Sequence, residues 1–259
     1  MPFSDNAKRF KPWSISKLDC AKQCGRRFFL LHVDKVKEDK GRIDSKQRIG
    51  TAAHKVLELI VDGRALLDAC KVAAVDTKLT SKEIEDLMIY QGNFRQFLER
   101  LESFKINKQV TDQFVEHKFG LTIDFRPTKF FGNDVFFRGV WDLGLYLASK
   151  NVVIIDHKTS TPEDSIEKYN NQLNVYAISG RAVFPTIEGA QSAIHYVQNN
   201  SIVWGDYIPA KEIDERLNAW LIEYVNSCVE KLDRTATPGW YCDFCGYSEL
   251  CPAKAVDKG

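Results

Sequence analysis

The segment Asn151–Lys158, NVVIIDHK, constrains this chain more than any other. Val152, Val153, Ile154 and Ile155 are consecutive β-branched apolar residues, and the run stops abruptly in charge. A strand that is apolar at neighbouring positions is buried on both faces, so the chain has to supply a covering layer on each side. Upstream, Asp134–Leu147 is dense in aromatic and aliphatic residues, and the Ser-Lys-Asn that follows is a tight turn, so these two segments read as a hairpin.

The flanking pattern agrees. Val115, His117, Phe119, Leu121, Ile123 and Phe125 alternate with Glu116, Lys118, Thr122 and Asp124, the period of a half-buried strand. Gln191–Gln198 and Ile202–Ile208 read as strands paired through Asn199-Asn200-Ser201. Helical periodicity predicts one helix over residues 14–31 with Ser14 and Ser16 as caps, and another over Gln47–Val61 on the stripe Ile49, Ala53, Val56, Leu57, Ile60. A further helix runs through Ile84, Leu87, Met88, Phe94, Phe97, Leu98 and Leu101. Helix returns over Glu163–Phe184 and again from Ala210, along Ile213, Leu217, Trp220, Leu221, Tyr224, Cys228 and Leu232. The expected fold is α/β, a mixed central β-sheet flanked by helices, in a single domain over 1–259. Residues 1–110 form its helical N-terminal region, 111–209 its core, and 210–259 a C-terminal helix and cysteine cap.

Lys and Arg number 36 against 35 Asp and Glu, so no global basic field attracts a polyanion and any nucleic-acid site has to be local. The opening MPFSDNAKRFKPW lacks the apolar core of a leader, and no stretch reaches the ~18 apolar residues of a membrane span. An intracellular protein (host cytoplasm if viral) is expected, with no membrane partner. Seven cysteines, three of them at 242, 245 and 251, suit a metal site in a reducing compartment better than a disulfide framework.

Asp156 and Lys158 lie two apart on one strand and share a face, and antiparallel pairing can bring Asp142 of GVWD beside them. Two carboxylates suit Mg²⁺ or Mn²⁺, which polarise phosphate and acidify water, while an ammonium can orient that water or neutralise developing charge. His157 adds an imidazole to the candidate metal ligands. Taken alone, Asp-x-Lys is weak evidence, because structural ion pairs also place charge at strand ends.

Other motifs occur in a definite order with these: Ser14, Ser16, Cys24 and Phe28; IGTAAH with Gly50 and His54; GVWD; DHKTS; NQLNVYA with Gln172 and Tyr176; and CDFCGYSELCP. Together, from Ser14 to Pro252, they resemble the RecB-like branch of the PD-(D/E)xK nucleases, whose core is that of the restriction endonucleases. The resemblance implies phosphodiester hydrolysis of DNA, single-stranded or with free ends, by one or two Mg²⁺ or Mn²⁺ ions, with His54, Asp142, Asp156 and Lys158 at the centre and Gln172 beside it. It further implies recombination, repair, replication or CRISPR proteins as partners.

By its likeness to the CRISPR-associated and AddB-type iron-sulfur exonucleases, it implies a 4Fe-4S cluster on Cys24, Cys242, Cys245 and Cys251 that staples the two ends of the chain. Zinc is the alternative on thiolate chemistry alone. Two departures stand out: Asp156 where many relatives have Glu, and Gly25 where the common pattern has Pro.

Some residues keep two readings. Glu116 is a further metal carboxylate or an exposed strand Glu, and Tyr176 stacks on a base or packs in the core. Cys20 lies one turn from Cys24, whereas Cys70 and Cys228 read as small buried hydrophobes. Arg26, Arg27, Lys35, Lys37, Lys40, Arg42, Lys46 and Arg48 either grip phosphates or form a solvated loop with Asp34, Glu38, Asp39 and Asp44. A non-catalytic DNA-binding module and an RNA-directed hydrolase are the functional alternatives, and no Walker A motif supports a helicase.

Overall fold

The computed structural model describes residues 1–38, 45–160 and 166–255. Two compact units divide the chain: Met1–Ile43 together with Ala219–Gly259, and Asp44–Asn218. The cysteine-bearing ends thus fall in one unit and the acidic motifs in the other.

In the larger unit, Val110–Leu121 (β1), Pro127–Thr128 (β2), Phe137–Leu147 (β3), Asn151–Lys158 (β4), Gly189–Tyr196 (β5) and Ser201–Pro209 (β6) form one sheet among the described residues, in the order β2-β1-β3-β4-β5-β6. Neighbours pair antiparallel except β4 and β5, which are parallel. A parallel pair needs a crossover, and Asn170–Val183 (α8) supplies it. Val152 to His157 are all buried, as the uninterrupted apolar run requires.

Each face of β4 has its own cover. Val152 and Ile154 meet α8, where a side chain at Gly180 would come within 2.8 Å of Val152 Cγ1. Val153 and Ile155 join the core made by Ser45–Val61 (α4), Leu66–Asp76 (α5), Ser81–Met88 (α6) and Gln91–Asn107 (α7). The single helix expected from Ile84 to Leu101 is two. Ile89 caps the end of the first and Tyr90 the start of the second, and Thr80 and Glu83 close a capping box at the start of the first.

Strict alternation along β1 also fails. Glu116 has φ 48°, and beyond it Phe114 and His117 share a face, with ring centroids 5.4 Å apart, although they are three residues apart. Val115 packs instead on the α4–α7 side. Opposite, Trp141 donates its indole N–H to Ser179 of α8 (2.8 Å), whereas Leu143 faces the α4–α7 core. The break in both strands falls at Glu116 and Asp142, where strand geometry yields to the site.

The smaller unit holds Asp5–Arg9 (α1), Ile15–Gln23 (α2), Gly25–Phe28 (α3) and most of Asn218–Val229 (α10), which follows Ala210–Glu212 (α9) and a π turn. The helix expected over 14–31 breaks at Cys24, which is extended (φ −159°, ψ 113°). The C-terminal segment packs against the break: a Cβ at Gly25 would lie 2.1 Å from the Asp233 carbonyl, and Arg26 N–H donates to Thr235. The proline of the common pattern would have no room here, which accounts for the departure at Gly25. Trp13 stacks on Phe28 at 5.9 Å in the core of this unit.

The helix expected from Glu163 is described from Asn170, after a 3₁₀ turn at 166–169; Glu163 lies outside the described residues. So do Asp39, Lys40, Arg42 and Asp44 of the mixed-charge loop. Among the described residues no helix is long and apolar enough to cross a membrane.

Candidate active site and cysteine centre

The β3–β4 ladder runs through Leu143 and Ile155. Just beyond that pair, the Asp142 carboxylate takes the His157 amide N–H (2.7 Å) in place of a backbone carbonyl. His54, on the inner stripe of α4, has Nδ1 3.3 Å from Asp142 Oδ2. Glu116 enters from β1, turned by its left-handed backbone. Ligand atoms of His54, Glu116 and Asp142 all lie within 4.8 Å of one another.

These groups set one another's charge. Burial opposes ionisation of Asp142, but hydrogen bonding to His54 and the His157 amide outweighs it and holds the carboxyl below its usual range. Burial also disfavours the charged form of His54, and Asp142 more than compensates, raising its pKa. Glu116, half-buried beside Asp142 and Glu58, is pushed up to about 7 by burial first and by those carboxylates second. Three acidic or basic groups this close, with one carboxyl partly protonated at neutral pH, match the donor set of a hard divalent cation whose charge would relieve the repulsion.

Asp156 is adjacent yet outside that trio. Its Oδ1 accepts from Gln172 Nε2 and Tyr176 OH, both at 2.7 Å, and its Oδ2 lies 2.5 Å from Lys158 Nζ. Oδ2 is thus held in a buried ion pair with the Lys158 ammonium. Burial and the Asp142 charge raise the Asp156 pKa, with Lys158 and Tyr176 opposing. Lys158 loses by burial but gains more from Asp156, so it stays an ammonium, 5.4 Å over the Tyr169 ring.

The expected residues therefore separate by position. His54, Asp142 and Glu116 converge; Asp156, Lys158, Gln172 and Tyr176 form a second cluster on the α8 side. Tyr176 is buried, with its hydroxyl on Asp156, which leaves no ring face for a base. The His157 ring turns into the α4–α7 side, Nδ1 2.9 Å from Nδ1 of His195, and its amide rather than its imidazole meets Asp142. Burial lowers the pKa of both imidazoles, that of His195 to about 4.

His195 itself escaped the sequence reading, because only the parallel register sets it beside His157. Glu58 was legible in principle, one helical turn after His54 on the same face. The room beside Gly50 goes to Thr159, whose Oγ1 would lie 2.9 Å from a Cβ there. Arg48 is committed to Glu83, with Nε 2.9 Å from Oε1.

In the smaller unit, Cys24, Cys242, Cys245 and Cys251 all line one cavity of about 310 Å³, together with Arg26, Arg27 and Tyr241. The break at Cys24 turns its thiol there, and short 3₁₀ turns at Trp240–Phe244 and Ser248–Leu250 present the other three. Several contacts hold the two chain ends together: Tyr241 OH lies 2.6 Å from the Gln23 carbonyl, Tyr247 OH donates to Val36 (2.9 Å), and Arg234 grips both Asp34 oxygens at 2.5 and 2.8 Å. Cys20 does not line the cavity, and burial pushes its thiol up to about 11. Four thiols around one void, with buried Nε atoms of Arg26 and Arg27 lacking hydrogen bonds, fit a thiolate-ligated centre of negative charge. Cys70 and Cys228 are buried, as expected, Cys70 within the apolar core of the larger unit and Cys228 beside Lys22, Tyr224 and Ser227.

A model of the PD-(D/E)XK nuclease superfamily matches residues 12–252. No curated protein sequence matches the chain. A solved structure described as the crystal structure of SSO0001 is 16% identical, over 92% of this chain and 93% of that one, with a TM-score of 0.36.

Proposed function

The chain belongs to the PD-(D/E)XK nuclease superfamily, and from that premise we propose that it is a divalent-metal-dependent DNA nuclease of the RecB-like branch, acting on single strands or free ends. The convergence of His54, Glu116 and Asp142 within 4.8 Å, beside the Asp156–Lys158 pair, carries this reading. His54 and Asp142 would hold the cation with Glu116 beside them, and Asp156, ion-paired through Oδ2 with Lys158, would supply the adjoining carboxylate. Mg²⁺ or Mn²⁺ bound there supplies Lewis acidity toward a phosphate oxygen and a water of lowered pKa.

The remaining side chains prepare the ground. Lys158 places a permanent positive charge where a phosphate gains negative charge. Gln172 and Tyr176 lock Asp156 in one rotamer from α8, and the His157 amide does the same for Asp142. The His157 imidazole, engaged by His195, acts through that backbone position rather than as a ligand. In the smaller unit, Cys24, Cys242, Cys245 and Cys251 bind a 4Fe-4S cluster that staples the two ends of the chain, a reading supported by their shared cavity.

End-labelled single-stranded DNA, duplex DNA and RNA, each with and without Mn²⁺, test the assignment. Metal-dependent shortening of DNA is expected. Cleavage that persists after thorough chelation, or that is confined to RNA, overturns it.

A further inference from the structure

The arm between β1 and β3 is not used by the centre described above, and it combines one exposed and one half-buried aromatic ring with cations outside any ion pair. Phe131 is 78% exposed and meets Phe130 edge to face, with centroids 4.8 Å apart. The Arg138 guanidinium lies 4.9 Å from the Phe130 centroid and 5.5 Å from that of Phe131, and its Nη1 donates to the Phe130 carbonyl at 3.4 Å. Residues 118–138 carry Lys118, Arg126, Lys129 and Arg138 against Asp124 and Asp134. Asp134 is engaged by the Thr128 hydroxyl at 2.6 Å, and among the described residues none of the four cations enters an ion pair.

The position of the arm gives it direction. Trp141 points to α8, so Arg138 and Val140 face the opposite side of β3, the side on which α4 carries His54. On β1, Lys118 pairs with Val140 and Gly120 with Arg138, and they share that face. Arg138 precedes Asp142 by four residues, roughly 13 Å along the strand at about 3.3 Å per residue. Gly120 lets the arm lie close, since a Cβ there would meet the Thr128 and Lys129 carbonyls at 2.9 and 3.0 Å.

We infer that Phe131, Phe130 and Arg138 form a stacking platform for one strand of DNA leading to the reaction centre, with Lys118 and Lys129 on its phosphates. The identity of the strand as DNA rests on the nuclease reading above. Exposed aromatic rings accept any base by its π-face, and cations alongside track the backbone, which is the chemistry of sequence-tolerant single-strand binding. Arg138 holds the two rings and adds charge at the same place.

The test uses the full chain without divalent metal, so that nothing is cleaved. Fluorescence anisotropy measures binding of a labelled oligothymidylate, an abasic DNA strand of equal length and an oligouridylate, for wild type, Phe131→Ala, Phe131→Trp and Arg138→Ala. Phe131→Ala should weaken binding of the base-bearing DNA by about 5- to 100-fold and change abasic binding little, while Phe131→Trp retains it. Arg138→Ala should weaken both and flatten the salt dependence. In parallel, Mn²⁺-dependent cleavage of bis(4-nitrophenyl) phosphate, too small to reach the arm, should be the same in Phe131→Ala as in wild type. Equal loss of base-bearing and abasic binding, unchanged binding in Phe131→Ala, or preference for the oligouridylate overturns the platform. A wild type that shows the aromatic-dependent binding but cleaves no phosphodiester refutes the nuclease reading and supports the platform.

Discussion

Replacing Glu116 by Gln should change the pH dependence of stability in a defined direction. Glu116 has a folded-state pKa of about 7 against 4.5 for the free side chain, raised by burial and by the charges of Asp142 and Glu58. A carboxyl whose folded pKa is raised contributes stability that is complete below the unfolded value and lost as pH rises through the folded one. Glu116 is only half-buried, so solvent screening reduces the effect, and between pH 5 and pH 7.5 the loss is on the order of 1 kcal/mol. Gln is neutral at both pH values and nearly isosteric, so the metal-free variant should gain on wild type by on the order of 1 kcal/mol on going from pH 5 to 7.5. Saturating Mn²⁺ should reverse the order at pH 7.5, because a cation bound to the native state stabilises it in proportion to its affinity and the variant has lost a ligand. Urea unfolding of both proteins at the two pH values, with chelator and with Mn²⁺, measures all of this. A stability gap that is independent of pH, or Mn²⁺ stabilisation equal in both proteins, refutes the placement of Glu116 among the metal-facing groups.

Asp156→Ala and Lys158→Ala should each lower DNA turnover by about a hundredfold or more with the fold retained, as followed by single-turnover kinetics and circular dichroism. Cys24→Ser should lose iron and sulfide from anaerobically purified protein and unfold at lower temperature, while Cys20→Ser keeps its iron; metal analysis and thermal scans separate the two. Acidification should expose the buried imidazole of His195, whose folded pKa of about 4 lies below the ordinary 6.5. Because the unfolded chain binds that proton first, stability falls as pH drops from about 6.5 toward 4, by up to roughly 3 kcal/mol. A His195→Asn variant should lack this part of the pH dependence in the same urea series.

Much of this chain was legible because the relevant physics is local. Four consecutive β-branched residues at 152–155 cannot avoid a doubly covered strand, and the turn at Ser149-Lys150 forces its antiparallel neighbour. Helical stripes such as Ile49 to Ile60 announce one buried face each. The spacing of Asp142, Asp156 and Lys158 set them on adjoining strands, although Asp142 lies in the middle of β3 and not at its end, and four of the cysteines were matched to a family pattern that their common cavity fits.

What escaped depends on contacts between distant segments. Gly25 beside Cys24 marks a place where a helix can break, but only the fold shows why it must be glycine: the carbonyl of Asp233 occupies the space a side chain there would need. Period-two alternation predicts Val115 and His117 on one face, but a left-handed Glu116 separates them, and so an ordinary strand glutamate turns toward His54. His195 meets His157 only through the parallel register of β4 and β5. Side-chain period and burial are properties of a segment and can be read along it. Convergence of ligands is a property of register and packing, because those set which atoms share a few cubic ångströms when the intervening chain imposes no distance of its own.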